Sequence, residues 1–579
     1  MDRSFINFLN KWRYPASWAI FRFDDRILMI LLAVIVGTCA GLAAVALNRS
    51  LLFLFEQLNH LRHFWWGFIL PAIGAVLSTI VLENIFKESA GYGVPEVIYS
   101  VSRFGGLLRL RSSFSRLISS CLTIGSGGSA GPEAPVVISG SAIGSNIATL
   151  FSLNDRQRIT LVGCGTAAAI GSIFNAPIAG MVFAIEVILG DWKAPSIIPI
   201  AIASVAGTEL SRLLQGNQIA FSHRVFHLDM IENLSCFGLG IFCAAASILL
   251  TRALGIMHHR AEKVQLPSWL KAAVGGCAVG LIGIFMPPVL GEGYHSIRSM
   301  IIGAFEPGLM FAAIAVGAKI AATSLTLGSG GSGGIFAPGL VIGSMVGLTY
   351  HRALTFLWPS AEWVNEGSFA LLGMAGLISG ILQAPLTGIF LIIEITGGYD
   401  VILPLIIVSA ISTSLCHYIE PASIYLKGLI EKGQLLRLGT DARVLQDLSI
   451  TELIEKDCTV VTPNLLLRDF IKIIERSHRN YFPVQEEDTG LFVGLIHLDD
   501  IRPYLFNRGM YDVVLLGQIM RTEVEVINPN DDLPNVLNIM DEKRYFSMPV
   551  VKNGRFIGMI SKATLLDQYR KELRIQTIV

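Results

Sequence analysis

Long uncharged, apolar runs separated by short polar segments dominate the first three quarters of the chain. Residues 27–47 give 21 successive uncharged positions, enough for a helix to cross the roughly 30 Å hydrocarbon core of a bilayer. Further uncharged runs cover residues 134–154, 159–185, 233–251, 272–291, 320–351, 367–393 and 401–419. Several of these runs are too long or too rich in glycine to be simple spans. The pattern predicts an all-α, polytopic membrane domain over residues 26–430.

The membrane domain contains an internal repeat. TIGSGGSAGPEAPVVISGSAIG at 123–144 recurs as TLGSGGSGGIFAPGLVIGSMVG at 326–347, a displacement of 203 residues. NAPIAGMVFAIE at 175–186 recurs as QAPLTGIFLIIE at 383–394, a displacement of 208. The sequence therefore predicts two homologous halves, about 26–225 and 226–430.

Glycine and proline interrupt the apolar runs at matching places in the two halves. Within a bilayer, such broken helix starts are tolerated only where the freed backbone groups line a polar cavity, and paired interruptions mark a transport site. Helix N-termini carry unpaired N–H donors and a partial positive charge, which attract anions. The alternative is that the small residues only allow close helix packing. Packing alone does not require proline near matching positions in both copies, so we favour an anion path.

Composition agrees with a membrane protein. The chain has 579 residues, 52% of them hydrophobic and 15% charged, with a mean hydropathy of +0.59. A net charge of zero argues against a nucleic-acid partner. The eight cysteines are scattered without metal-ligand spacing, so we expect neither disulfides nor a metal site, and no cofactor is required.

Charge is concentrated at the C-terminal end. The last 153 residues, from Lys427, hold 42 of the 88 charged side chains, which indicates a soluble domain. The first 25 residues carry several basic side chains and no signal-peptide pattern, which favours a cytoplasmic N-terminus. The soluble tail should face the same side. We expect a multi-pass protein of the cell (inner) membrane with both termini cytoplasmic.

The soluble tail is also a repeat. RNYFPV at 479–484 and GLIHLDDI at 494–501 correspond to RYFSMPVV at 544–551 and GMISKATL at 558–565. Each copy alternates amphipathic helices with short apolar strands, which predicts an α/β unit. These copies resemble a tandem pair of CBS domains, at 446–506 and 513–573, after a linker at 431–445.

The CBS resemblance raises the question of an adenine nucleotide. Such pairs typically bind it with a Ser or Thr after the second strand and an Asp three residues later. The first copy has His497 and Asp500 at these positions, and the second has Ser561 and Thr564. Each copy keeps half of the pattern, so a nucleotide site and a pure dimerisation and coupling module both stay open.

With these motifs in order, the chain resembles the ClC family of chloride channels and chloride/proton antiporters, as a prokaryotic-type member with a CBS pair. The family's GSGIP, G(R/K)EGP and GxFxP loops correspond to GYGVP at 91–95, GPEAP at 131–135 and GIFAP at 334–338. The family's late pore tyrosine matches Tyr425. The resemblance implies a homodimer with one pore per subunit, formed by two oppositely oriented halves.

The resemblance also assigns roles. Glu133 would be the gating glutamate, whose carboxylate competes with chloride for the outer site; the alternative is a structural glutamate held by backbone donors. The anion-binding positions would be Tyr92, Gly93, Gly131, Ile335, Phe336, Ala337 and Tyr425. Glu186 and Glu394, at the ends of matching segments, are interpreted as structural or interfacial carboxylates.

Three positions depart from the family pattern. Tyr92 stands where the family usually has a small serine against the central ion, which puts the preferred anion in question. Pro132 replaces a basic residue beside the gating glutamate. Val187 occupies the internal proton site, where many antiporters carry a second glutamate. Valine cannot relay a proton, so we favour channel-like passive conductance over chloride/proton antiport.

Two rival classes are less well supported. GGSAG at 127–131 and GGSGG at 330–334 match the hydrolase G-x-S-x-G pattern, but an intramembrane serine hydrolase needs a strand before the turn and a histidine partner. A CBS-regulated cation transporter should place acidic clusters along its path. We therefore predict a non-enzymatic anion transporter.

Overall fold

The structure is a computed structural model, and it describes residues 25–62, 64, 66–88, 93–192, 194–217, 221, 230–359, 363, 365–399, 401–431, 448 and 450–577. The chain divides into two compact units, residues 1–435 and 436–579. The first unit is helical, and the second combines short helices with two small antiparallel sheets.

The helices of the first unit follow in this order: α1 Asp25–Arg62, α2 Leu70–Ile80, α3 Val94–Arg103, α4 Ser115–Gly125, α5 Glu133–Leu150, α6 Asp155–Phe174, α7 Pro177–Phe183, α8 Ala194–Gln215, α9 Met230–Lys263, α10 Ser268–Phe285, α11 Tyr294–Ile301, α12 Leu309–Gly328, α13 Phe336–Leu357, α14 Glu366–Leu382, α15 Pro385–Thr396, α16 Ile402–Ile419 and α17 Ile424–Glu431. α2 and α7 each continue as a π-helical turn, Val81–Phe86 and Ala184–Leu189.

Within the described residues, eight helices are long and apolar enough to cross a membrane. Shorter apolar helices such as Pro177–Leu189 and Pro385–Thr396 accompany them. Helices too short to span a bilayer are tolerated where their ends are covered by protein or line a polar path. The predicted polytopic, all-α membrane fold is therefore confirmed.

The repeat detected in the sequence appears as matching helices. α5 and α13 begin 203 positions apart, at Glu133 and Phe336, and α7 and α15 begin 208 positions apart, at Pro177 and Pro385. The local cause is the same in both halves: a glycine-rich turn cannot continue a helix, and a proline at a first turn is compatible with starting one.

Reciprocal hydrogen bonds join the two halves. Thr326 Oγ1 accepts from the backbone N–H of Ser129 at 3.1 Å, and Thr123 Oγ1 accepts from that of Ser332 at 3.2 Å. Each residue of one bond is 203 positions from its counterpart in the other. In each bond a threonine of one half accepts from a serine of the other half, and the halves exchange roles between the two bonds. Such reciprocal contacts are expected when two units are related by a two-fold axis. The halves are therefore packed as an inverted pair around the glycine-rich turns.

The second unit contains α18 Ile450–Leu453, α19 Leu467–Arg476, β1 Tyr481–Gln485, β2 Phe492–His497, α20 Leu498–Leu505, α21 Leu533–Glu542, β3 Ser547–Lys552, β4 Arg555–Ser561 and α22 Lys562–Thr577. β1 pairs with β2 and β3 with β4, both antiparallel. The N-terminal segment of each copy bridges to the other copy's hairpin, through Glu455 to Met559 and Arg521 to Leu495. The two copies therefore contact each other reciprocally through backbone bridges.

Candidate functional site

The glycine-rich turns of the two halves meet in a backbone joint. The N–H of Gly131 donates to the carbonyl of Gly334 at 2.9 Å, and the N–H of Gly334 donates to the carbonyl of Gly131 at 2.6 Å. α5 and α13 begin two residues after these glycines. The joint therefore brings the positive N-terminal ends of two long helices to one point.

Glu133, the first residue of α5, is buried at this point with 1% of its surface exposed. Its Oε1 accepts a hydrogen bond from the hydroxyl of Tyr294 at 2.8 Å. Its Oε2 has no hydrogen-bond partner among the described residues. The backbone N–H groups of Glu133 and Ala337 face the carboxylate. The carboxyl group is thus held where backbone donors converge.

Two glycines make room for the carboxylate. A Cβ on Gly131 would lie 2.0 Å from Glu133 Oε2, and a Cβ on Gly334 would lie 3.2 Å from it. No side chain fits at Gly131 while Glu133 keeps this position. Gly131 was predicted as an anion ligand, yet its N–H donates to the carbonyl of Gly334, so in this structure Gly131 shapes the site by lacking a side chain.

The start of α13 forms the opposite wall. Ile335, Phe336 and Ala337 are at most 2% exposed. The ring of Phe336 packs against those of Phe183 and Phe174, with centroids 5.5 and 6.0 Å apart. These apolar side chains exclude water, while the backbone N–H groups supply the polar contacts. Such a surface offers hydrogen bonds to an anion without a fixed positive charge.

Tyr425, on α17, is 1% exposed, and its hydroxyl has no hydrogen-bond partner among the described residues. A buried tyrosine hydroxyl normally has a partner, so one without a protein acceptor suits a ligand that supplies it.

The GYGVP loop is described only in part. Tyr92 lies outside the described residues. Gly93 precedes α3 with a φ of +78°, a conformation that favours glycine, and a Cβ there would lie 2.0 Å from Ile138 Cδ1 of α5. Gly93 therefore allows the first turn of α3 to pack against α5 at Ile138.

The internal proton-site position, Val187, lies in the π-helical turn after α7 and is partly buried. Its neighbour Glu186 accepts from the N–H groups of Leu386 and Thr387 at 3.2 and 2.8 Å, and from Thr387 Oγ1 at 2.7 Å. Both carboxylate oxygens are therefore engaged in capping α15.

Three residues at or beside the site were not predicted from the sequence: Tyr294, Glu292 and Lys319. Tyr294 donates a hydrogen bond to Glu133, and Lys319 Nζ donates to the carbonyls of Val289 and Gly291, immediately before Glu292 in the chain. Lys319 is 0% exposed and is the one charged residue in α12. An ionisable residue within an apolar segment of a membrane protein often marks a functional site. Lys319 is such a residue, so the sequence alone could have identified it.

The central serines of the two hydrolase-like matches contact the opposite half. Ser129 Oγ lies 3.0 Å from Thr323 Oγ1, and Ser332 Oγ accepts from Ser119 Oγ at 2.9 Å. These serines therefore take part in the packing of the two halves.

In the second unit, the four candidate nucleotide residues are already engaged. Ser561 Oγ donates to Glu455 at 2.6 Å, and Thr564 Oγ1 donates to the same carboxylate. Asp500 accepts from Arg521 at 2.5 Å and from the N–H of His497 at 3.3 Å. In both copies, the side chains expected to contact a nucleotide therefore already bind other residues of the protein.

The inverted helical repeat, with a cradle of backbone donors at its centre, defines a polytopic membrane transporter for small anions. The chain belongs to the voltage gated chloride channel family, whose model matches residues 74–417. The CBS domain model matches twice in the second unit, at 450–507 and 516–571. The predicted family is confirmed, and the protein is a chloride-transporting member with CBS domains.

Several relatives are similar over most of their length. A putative chloride channel protein ClcB-like of Ralstonia nicotianae is 31% identical over 63% of this chain and 86% of the relative. The H(+)/Cl(-) exchange transporter ClcA of Klebsiella pneumoniae is 29% identical over 69% and 87%. Chloride channel protein CLC-f of Arabidopsis thaliana is 26% identical over 85% and 70%.

Solved structures share the fold. A slow cyanobacterial Cl-/H+ antiporter superposes with a TM-score of 0.65 at 22% identity, covering 71% of this chain and 99% of that one. A eukaryotic CLC transporter gives a TM-score of 0.62 at 17% identity and covers 93% of this chain and 99% of that one. The family assignment supports neither the serine hydrolase nor the cation transporter alternative.

Proposed function

We propose that the protein conducts chloride, or a similar small anion, passively through a pore in each subunit, with Glu133 as the gate. The observation that carries this proposal is the position of the Glu133 carboxylate, over Gly131 and facing the N–H groups that begin α5 and α13. A chloride ion needs the same donors. The carboxylate and the anion therefore compete for one place.

Protonation changes this competition. The ionised carboxylate is attracted to the converging helix ends, whereas the neutral acid is not. A protonated Glu133 leaves the cradle to an incoming anion. The orphan hydroxyl of Tyr425 would then supply a further uncharged donor. Uncharged donors suit conduction because a bound anion must also leave.

The test of the gate is Glu133→Gln in proteoliposomes. The neutral carboxamide has no charge to hold it in the cradle, so anion flux should rise and lose most of its pH dependence. Glu306→Gln, at an exposed position after α11, is the matched control and should leave both unchanged. A folded Glu133→Gln protein with parental flux and pH response would contradict the assignment.

The residue at the internal proton-site position favours passive conductance over chloride/proton antiport. Val187 has no exchangeable proton, and the adjacent Glu186 carboxylate is engaged by three hydrogen bonds. Chloride/proton antiport is the second candidate, favoured by relatives and a fold neighbour that are named exchangers or antiporters.

Simultaneous flux measurements separate the two candidates. With a chloride gradient and the voltage clamped by potassium and valinomycin, a channel passes chloride without driving protons uphill. Uphill proton movement at a fixed chloride-to-proton ratio would refute passive conductance and establish antiport.

The assembly and orientation are part of the proposal. Resemblance to the family supports a homodimer, and the basic N-terminal segment supports an inner membrane protein with both termini in the cytoplasm. Cross-linking in native membranes tests the dimer, and cysteine accessibility in right-side-out vesicles tests the orientation.

For the second unit we propose a coupling module to which an adenine nucleotide binds only by displacing protein contacts. The Ser561 and Thr564 hydroxyls are held by Glu455, and Asp500 is held by Arg521. Titration of the full-length protein with ATP, AMP and adenosine tests this. Binding that strengthens in Glu455→Ala would support displacement, and equal binding in both proteins would contradict it.

A further inference from the structure

Tyr294 is held beside the Glu133 carboxyl group by contacts from both halves of the membrane domain. It is the first residue of α11, and its hydroxyl donates to Glu133 Oε1 at 2.8 Å. The turn before it is tied to the first half, because the N–H of Gly291 donates to the carbonyl of Gly127 at 3.1 Å. Lys319 Nζ, from α12, donates to the carbonyl of Gly291 at 3.0 Å. The backbone that carries Tyr294 is therefore held on two sides.

Backbone conformation and ring packing further limit where Tyr294 can lie. Gly293, directly before it, has a φ of +83°, a conformation that residues with a side chain rarely adopt. A Cβ on Gly293 would also lie 2.7 Å from Val341 Cγ2 of α13. The ring of Tyr294 packs against that of Phe221, which is 5% exposed, with centroids 6.1 Å apart. The hydroxyl is therefore positioned by groups other than Glu133.

Glu133 Oε1 is the acceptor that the described residues give to the Tyr294 hydroxyl. In the proposed function, the carboxylate and a chloride ion compete for one place. When Glu133 leaves that place, the hydroxyl loses its acceptor, and a donor left unpaired inside a protein is costly. An anion that enters the vacated place restores the hydrogen bond.

We propose that Tyr294 is an anion-binding residue of the open pore, whose hydroxyl is transferred from the Glu133 carboxylate to the ion that replaces it. The inference rests on the proposed gating role of Glu133. Tyr294 differs in this respect from Tyr425, whose hydroxyl has no partner among the described residues even with Glu133 in place. The Tyr294 hydroxyl becomes available to an ion only when the gate opens.

This donor also bears on which anion the site prefers. A hydrogen bond to an anion is largely electrostatic, and it is stronger for a smaller ion because the charges approach more closely. The bond from the Tyr294 hydroxyl therefore adds more to the binding of chloride than to that of iodide. Because the hydroxyl is uncharged, it does so without holding the ion too tightly to leave.

The experiment measures chloride binding to the purified full-length protein by isothermal titration calorimetry at alkaline pH. In Glu133→Ala no carboxylate competes with the anion, so the further change Tyr294→Phe should raise the dissociation constant about tenfold. In the parental protein Tyr294→Phe should have a much smaller effect, because the carboxylate and the ion both lose the bond. Tyr350→Phe, whose hydroxyl donates to the Ser235 carbonyl at 2.9 Å, is the matched control and should change neither value.

Iodide binding separates this role from a structural one. In Glu133→Ala, the change Tyr294→Phe should weaken iodide binding less than chloride binding, whereas a general disturbance of the site weakens both alike. Unchanged chloride affinity in Glu133→Ala, equal losses in the two backgrounds, or equal losses for the two anions would each overturn the inference while leaving the gate intact. Parental chloride affinity and flux in Glu133→Ala alone would instead overturn the gate, and this inference with it.

Discussion

Glu186 and Glu394 each cap a helix of the opposite half. Glu394 accepts from the N–H groups of Ile178 and Ala179, at 3.0 and 2.7 Å, where α7 begins. Glu186 accepts from the corresponding N–H groups of α15. Donors and acceptors are all related by the same displacement of 208 residues. The two carboxylates therefore close one symmetric contact between the halves, which supports a structural role for both.

Removal of either cap should destabilise the membrane domain. Hydrogen bonds to a charged group contribute about 1.5–3 kcal/mol, so we expect Glu186→Ala and Glu394→Ala each to lower the free energy of unfolding by about 2 kcal/mol. The apparent melting temperature in detergent is the measurement. Glu209→Ala, which breaks an ion pair on the exposed side of α8, should cost less than about 1 kcal/mol. Equal losses in all three variants would contradict the capping role.

Tyr294→Phe should open the gate. The phenol hydroxyl stabilises the ionised Glu133 carboxylate in its cradle, so its loss favours protonation and departure of that side chain. A loss of about 1.5 kcal/mol corresponds to roughly a tenfold rise in flux at neutral pH, with the flux–pH curve moved to higher pH. Tyr350→Phe removes a similar bond, to the Ser235 carbonyl, and should not change the curve. A shift to lower pH would contradict this role of Tyr294.

Tyr92→Ser should alter anion selectivity. By resemblance the phenol replaces a small hydroxyl beside the central ion, so the smaller side chain should change the relative permeabilities of chloride, nitrate and bromide. Reversal potentials under bi-ionic conditions give these ratios. Tyr418→Ser, at a position 86% exposed, is the control. Ratios that stay within error would mean that Tyr92 points away from the pore.

Glu455→Gln should weaken the second unit in a pH-dependent way. Burial raises the pKa of Glu455, but hydrogen bonds from Ser561, Thr564 and Arg479 outweigh it and hold the pKa below its ordinary value. A lowered folded-state pKa adds stability above the unfolded value, and this stability is lost as the pH falls through the folded value. The variant should therefore lose about 1 kcal/mol at pH 7, after allowance for solvent screening.

Pulse proteolysis of the full-length protein in urea gives the stability of the second unit. The difference between the Glu455→Gln variant and its parent should disappear as the pH falls below about 4. A difference that stays constant with pH would mean that packing, rather than the charge of Glu455, is responsible.

Local signals were enough to predict the repeat, the helix starts and the family. Glycine-rich turns and prolines act within a few residues of where they stand, so the beginnings of α5, α7, α13 and α15 were visible in the sequence. The same signals pointed to Glu133, because it is the one carboxylate inside a repeated helix start.

Contacts between distant segments were not predictable in this way. Tyr294 and Glu133 are 161 residues apart, and nothing near either position indicates that they meet. The N–H of Gly131 was expected to face an anion, but its pairing with Gly334 depends on how the halves pack. The engagement of Glu455 with Ser561 likewise arises from the interlocking of the two CBS copies.

The joint between Gly131 and Gly334 also has a consequence for biosynthesis. Its two hydrogen bonds join Gly131 to Gly334, which is 203 positions later in the chain. Gly334 is not present until synthesis of the second half is well under way. A nascent chain that stops after the first half has no second helix end to complete the cradle. A partly synthesised protein in the membrane therefore lacks the paired helix ends on which the proposed anion path depends.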